Sequence, residues 1–173
     1  MKPAHAAWDR LADLIEYPDG CYVDAIDACV EATAGSDLAV PLQRFRSAMA
    51  DAGVAAAQER YVEAFDFDPA CTLDIGWHLL RDAPERGALL SNLREDLANA
   101  VVDERGELPD HLPALLRLIA REDESRGAVL AGFIAPAVAC VHERLSAREN
   151  PYGDILDAIE RLLAALQQSE ARP

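Results

Sequence analysis

The chain has 173 residues, 51% of them apolar, and its 16 lysines and arginines face 31 aspartates and glutamates, for a net charge of −15. This length holds about one domain with a real core and excludes disorder. The charge balance excludes nucleic acid, whose phosphates need basic patches, and favours cationic partners.

Apolar residues recur at three- and four-residue spacing along nearly the whole chain, and no run alternates long enough for a strand. The pattern predicts an all-α, single-domain bundle of about nine short helices over residues 1–173. A first helix over about 4–16 stops at Tyr17-Pro18-Asp19-Gly20, a turn signal. The second, from Tyr22 to Thr33, carries Val23, Ile26 and Val30 on one face, and the third uses Leu38, Leu42, Phe45 and Met49 and stops near Gly53. A fourth, with Gln58, Tyr61, Val62 and Phe65, leads to Asp66-Phe67-Asp68-Pro69, where the proline ends it. A short fifth spans Asp74 to Leu80. The sixth, Pro84 to Val102, aligns Leu89, Leu93, Leu97 and Val101 and takes Pro84 in its first turn. A seventh holds Leu112, Leu115, Leu116 and Ile119. The eighth, from Ser125 to Ala147, should be kinked or broken at Pro136. The ninth follows Asn150-Pro151-Tyr152-Gly153 with Ile155, Leu156, Ile159, Leu162, Leu163 and Leu166.

Cys21, Cys29, Cys71 and Cys140 are widely spaced without a C-x-x-C pair, which suits buried thiols better than disulfides or zinc ligands. The N-terminus has no signal-peptide pattern, and the longest uncharged run, Gly127 to Val141, is too short to span a bilayer. A soluble, cytoplasmic protein without direct membrane insertion is expected.

The most informative stretch is Gly106-Glu107-Leu108-Pro109-Asp110-His111-Leu112-Pro113. Pro109 and Pro113 fix φ and remove two backbone donors, so Glu107 to Leu112 cannot lie inside a regular helix. Asp110 is placed to cap the next helix, with Pro113 in its first turn. An acid, an aspartate and an imidazole thus meet at a stiff helix entrance. A histidine beside carboxylates can serve as a general base or as one metal ligand, so a small metal-dependent or acid/base enzyme centred on His111 is one reading. Against it, there is no H-E-x-x-H, no G-x-S-x-G and no glycine-rich phosphate loop. Tyr61 and Phe65, four apart on one helical face, belong either to the core or to a groove rimmed by Asp66 and Asp68; Trp77-His78 offers the same choice. Such a groove would suit a basic, amphipathic peptide. A structural subunit that stays in its complex is a third reading.

Four segments in order resemble the TorD/DmsD/NarJ family of redox-enzyme maturation chaperones, nearest to its nitrate reductase (NarJ) branch. They are Leu14-Ile15-Glu16-Tyr17-Pro18-Asp19, Gln58 to Asp66, Glu107 to Pro113, and Asn150-Pro151-Tyr152 followed by Leu156-Asp157-Ala158. Residues 71–87 depart from the branch's pattern and keep only its Arg86-Gly87 ending, which leaves the client open among molybdenum enzymes of the dimethyl sulfoxide reductase superfamily. The resemblance implies a non-catalytic protein without a resident cofactor. It would bind the apo catalytic subunit of a molybdoenzyme, a nitrate reductase or a related enzyme of that superfamily, through its N-terminal leader or a remnant of one, and support cofactor insertion before docking or export. It implies a client surface built from Tyr61, Phe65, Asp66 and Trp77, with Glu107, Pro109, Asp110 and His111 at its rim or hinge, and Arg86 fixing the turn before its helix. Monomer and helix-swapped dimer both remain open, since the breaks near Pro136 and Glu107–Pro113 would permit helix exchange.

Overall fold

The computed structural model describes residues 3–50 and 53–170. Among them are nine helices and no strand: α1 (Pro3–Leu14), α2 (Tyr22–Ala32), α3 (Ala39–Met49), α4 (Val54–Phe65), α5 (Ile75–Leu80), α6 (Glu85–Asn99), α7 (Leu112–Ile119), α8 (Glu124–Ala147) and α9 (Tyr152–Glu170). The all-α expectation holds. The expected stop of the third helix at Gly53 touches residues 51 and 52, which lie outside the described ones, as do 1–2 and 171–173.

Helices α8 and α9 pack along each other, α3 lies on α9, and α1 lies against α7 and α2. The core between them takes Trp8, Leu11, Leu14 and Ile15 from α1 and its end, Leu42 and Phe45 from α3, and Ile155, Leu156, Ile159 and Leu163 from α9. Tyr152 is the largest fully buried side chain. Its ring contacts Phe45, Tyr61 and Phe65 at centroid distances of 5.4, 5.7 and 5.1 Å. Its hydroxyl shares a 3.1 Å hydrogen bond with that of Tyr22, which donates to the Leu14 carbonyl at 2.7 Å. A buried hydroxyl needs such a partner, and here the bonds tie α2 and α9 to the end of α1.

Several expectations are corrected. Val23 lies on the exposed side of α2; Tyr22, Ile26, Cys29 and Val30 form the buried face. Pro136 neither breaks nor ends α8, which continues through it, because the ring stands on the exposed side and costs one hydrogen bond next to solvent. By length and composition α8 could cross a membrane, since the helix extends beyond its uncharged run; one side of it instead packs along α9. All four cysteines are free, but only Cys29 and Cys71 are buried; Cys21 and Cys140 are exposed. The sixth helix ends early. Val101 takes a left-handed φ of 56° and is 89% exposed, while Val102 donates to the Leu97 carbonyl at 2.9 Å and turns inward. This is a Schellman-type end, with an unusual valine where glycine is the usual residue.

Candidate functional site

The segment between α6 and α7 is pinned to the one before α5. Ile75 N–H donates to the Asp110 carbonyl and Leu112 N–H to the Leu73 carbonyl, both at 2.9 Å, pairing Asp74 with His111 as an isolated antiparallel bridge. The two prolines fit because the two N–H groups that the bridge needs lie elsewhere, on Leu112 and Ile75.

Asp110 does not cap α7. His111 occupies the cap position without a side-chain bond, and Asp110 turns inward, 0% exposed. Its Oδ2 accepts from Arg86 Nη2 at 3.2 Å, from the first turn of α6. Arg86 therefore ties its helix to the 107–111 turn across the chain. The Arg86 guanidinium also lies 5.8 Å from the Trp77 ring centroid, with Arg81 5.4 Å from that ring. Burial pushes the Asp110 carboxyl above the ordinary aspartate range, with Arg86 opposing it. Asp110 Oδ1, Arg86 Nε and Trp77 Nε1 are all buried without a hydrogen-bond partner. Gly76 makes this closeness possible, since a Cβ there would lie 2.5 Å from Asp110 Oδ2. On the other side of the turn, His111 Nδ1 lies 3.4 Å from Asp74 Oδ1, and this bond holds the Asp74 carboxyl below its ordinary range. His78 is occupied structurally, its Nε2 2.7 Å from the Thr72 carbonyl.

In front of the turn opens a cleft of about 150 Å³ lined by Glu16, Tyr17, Tyr61, Asp103, Glu104, Arg105, Glu107, His111 and Arg117, together with Pro113 and Ala114. Tyr17 stands edge-on to Tyr61 at 5.5 Å, and Tyr61 to Phe65 at 4.9 Å. Burial first, then the charge of Asp66, pushes the Tyr61 phenol far up, so it stays a neutral hydrogen-bonding group. Glu16 accepts from the buried Arg117 at 2.5 Å and also from Arg105. Arg94 holds Glu104 at 3.0 Å.

The sequence-derived site residues thus divide. Tyr61, Glu107 and His111 meet at the cleft. Trp77, Arg86 and Asp110 form a cluster behind the turn, with Pro109 buried beside Asp110. Phe65 belongs to the aromatic core and Asp66 is an exposed neighbour of Tyr61; neither lines the cleft. Asp68 pairs with Arg148 instead of rimming a groove. Sequence reasoning missed Glu16, Tyr17, Arg105 and Arg117. Glu16 and Tyr17 stood inside a recognised segment, but nothing local showed that a helix end would meet a turn 89 residues later. For the enzyme reading, the imidazole of His111 has one carboxylate at hand, and among the described residues no group of three or more histidines, cysteines and acids could hold a metal ion.

The family model for the nitrate reductase delta subunit matches residues 31–169. The chain is 30% identical over 155 residues to the nitrate reductase molybdenum cofactor assembly chaperone NarJ of Escherichia coli (strain K12), covering 86% of this chain and 66% of that protein. It is 28% identical over 158 residues to the nitrate reductase-like protein NarX of Mycobacterium tuberculosis (strain ATCC 25618 / H37Rv), covering 89% of this chain and 24% of that protein. The chain therefore spans just under two thirds of the length of the NarJ relative. It belongs to the nitrate reductase delta subunit family.

Proposed function

We propose that this member of the nitrate reductase delta subunit family is a single-domain, cytoplasmic assembly chaperone. Its client is the apo catalytic subunit of a nitrate reductase or a related molybdenum enzyme. It makes and breaks no bonds; it holds the basic, amphipathic N-terminal segment of that subunit while the molybdenum cofactor is inserted. The NarJ relative, named as a molybdenum cofactor assembly chaperone, supports the role.

The observation that carries the assignment is the cleft beside the Glu107–Pro113 turn. Four carboxylates line it against two guanidiniums, with the edges of Tyr17 and Tyr61 between them. Tyr17 is 54% exposed, and Leu108 and Phe67 present further apolar surface on neighbouring segments. Aromatic edges supply contact area at low entropic cost, and the acidic rim steers a cationic peptide from a distance set by the Debye length. Trp77, Arg86 and Asp110 serve this surface from behind by fixing the turn that presents Glu107 and His111.

The test reverses charge on the exposed rim without touching the core. In a strain lacking the gene, Glu107→Lys combined with Asp103→Lys should leave the client short of molybdenum, while circular dichroism of the purified variant matches wild type. Normal molybdenum content and nitrate reductase activity would refute the assignment of the cleft. Salt-insensitive calorimetric binding of the client's N-terminal peptide would remove its electrostatic part.

A further inference from the structure

The cleft already contains a cation of the kind it is proposed to receive. Arg105 lies in the 100–107 turn with φ of 55°, followed by Gly106 at 89°, and its N–H donates to Asp103 Oδ1 at 2.9 Å. This kinked backbone sends the guanidinium across to Glu16 Oε2 at the end of α1. The two oxygens of Glu16 are held unequally. Oε1 belongs to Arg117, a buried α7 residue that also takes Asp13 at 2.6 Å, so that pair is part of the body of the protein. Oε2 belongs to Arg105, whose side chain is 52% exposed. A long side chain held by one exposed ion pair contributes little stability and is easily displaced. Around it stand Tyr17, Tyr61 and Glu107, and Glu107 has no ion-pair partner among the described residues.

We propose that Arg105 is an internal stand-in for a client arginine. A guanidinium from the bound peptide would displace it from Glu16 Oε2, settling between that carboxylate, Glu107 and the edges of Tyr17 and Tyr61. The exchange swaps one charge-assisted bond for an equivalent one, so the half-buried Glu16 keeps a partner on Oε2 while Arg117 holds Oε1. It also makes the empty cleft less attractive to stray cations, because an incoming group must compete. The planar, forked guanidinium suits a carboxylate flanked by aromatic rings better than an ammonium. This inference rests on the proposed function, since it names a contact within the same cleft.

The test is calorimetry with a synthetic peptide from the N-terminus of the nitrate reductase catalytic subunit, and with its copy carrying citrulline for arginine. Arg105→Asn removes the guanidinium while asparagine tolerates the left-handed backbone. Removing the competitor should tighten the arginine peptide by roughly two- to fivefold, the range of one exposed ion pair. The citrulline peptide should bind more weakly and ignore the change. Arg105→Lys, a weaker competitor, should fall between wild type and Arg105→Asn, and Arg46→Gln, which removes an equal charge from the exposed pair with Asp27, should have no such effect. Glu16→Gln should weaken the arginine peptide.

Unchanged or weaker binding by Arg105→Asn would overturn the exchange. If Glu107→Lys still weakened the peptide in that case, the cleft reading would survive. Equal tightening by Arg46→Gln would reduce the effect to net charge and overturn it too. Absence of peptide binding by wild type would overturn both.

Discussion

Helix α7 buries all eight of its residues, whereas α6, fifteen residues long, buries only Leu93 and Leu97. The two helices flank the same turn and are secured by different forces. α7 is central and needs no designed contact beyond its apolar surround, and even its Arg117 is neutralised by Asp13 and Glu16. α6 is peripheral and relies on charge, through Arg86–Asp110, Arg94–Glu104 and Asp96–Arg126. The last two are exposed enough to be worth little each, so Leu93, Leu97 and the Arg86–Asp110 contact hold the helix, and only the last of these reaches the turn. The turn displaying Glu107 and His111 is therefore fixed hydrophobically on one side and electrostatically on the other.

The largest effect should come from the hydrophobic side. Leu116→Ala empties space at a fully buried position and should cost about 2–5 kcal/mol in urea denaturation, with little dependence on salt. A loss below about 1 kcal/mol would mean that α7 is not the centre described.

Arg86→Leu tests the other side. It leaves the Asp110 carboxylate buried without its counter-charge and should cost about 2–3 kcal/mol, somewhat under the usual figure because the Arg86 side chain is 20% exposed. Adding Asp110→Asn should restore much of the loss; if it restores none, the pair is not the tether. Gly76→Ala sharpens the same point by geometry, since the new Cβ must displace Asp110 Oδ2 or the α5 backbone, at about 1–3 kcal/mol.

The pH dependence separates Asp110 from Asp74. In the folded chain Asp110 keeps its proton to higher pH than the ordinary 3.8, so above 3.8 the folded state binds more protons than the unfolded one. Its contribution to stability is therefore present below 3.8 and falls as pH rises to the raised value, then levels. Wild-type stability measured relative to Asp110→Asn should fall across that window. Asp74 has the opposite sign: its pKa is lowered, so its contribution holds above 3.8 and is lost as pH falls through the lower value. Stability relative to Asp74→Asn should decline on the acid side. A flat Asp110 difference curve would contradict the burial argument. The smallest effect is a gain: Val101→Gly relieves the left-handed valine at the end of α6 and should add up to about 1 kcal/mol. A loss there would show that the exposed valine is not strained.

The helices were legible because each carries its own periodicity and punctuation. Pro18, Pro69, Pro84 and Pro151 mark boundaries that local chemistry dictates. The turn at Glu107–Pro113 was legible as a site for the same reason. Which way its side chains point was not. Asp110 matched a helix cap by position, yet the bond to Arg86 and the open space left by Gly76 hold it inward against the cost of desolvation. Tyr61 and Phe65 share a helical face and are both buried in the core, but only packing against Tyr17 and Tyr152 decides that the edge of Tyr61 also lines the cleft.

From its residues alone this chain settled its class, its element order and the stiffness of one turn, because propensity, capping and proline act over a few neighbouring positions. Only the packed molecule could bring Glu16 to Arg105 and Arg86 to Asp110, pairs 89 and 24 residues apart. Charge attraction between such groups depends on distance in space and on the water excluded around them, and neither quantity is written in the order of residues.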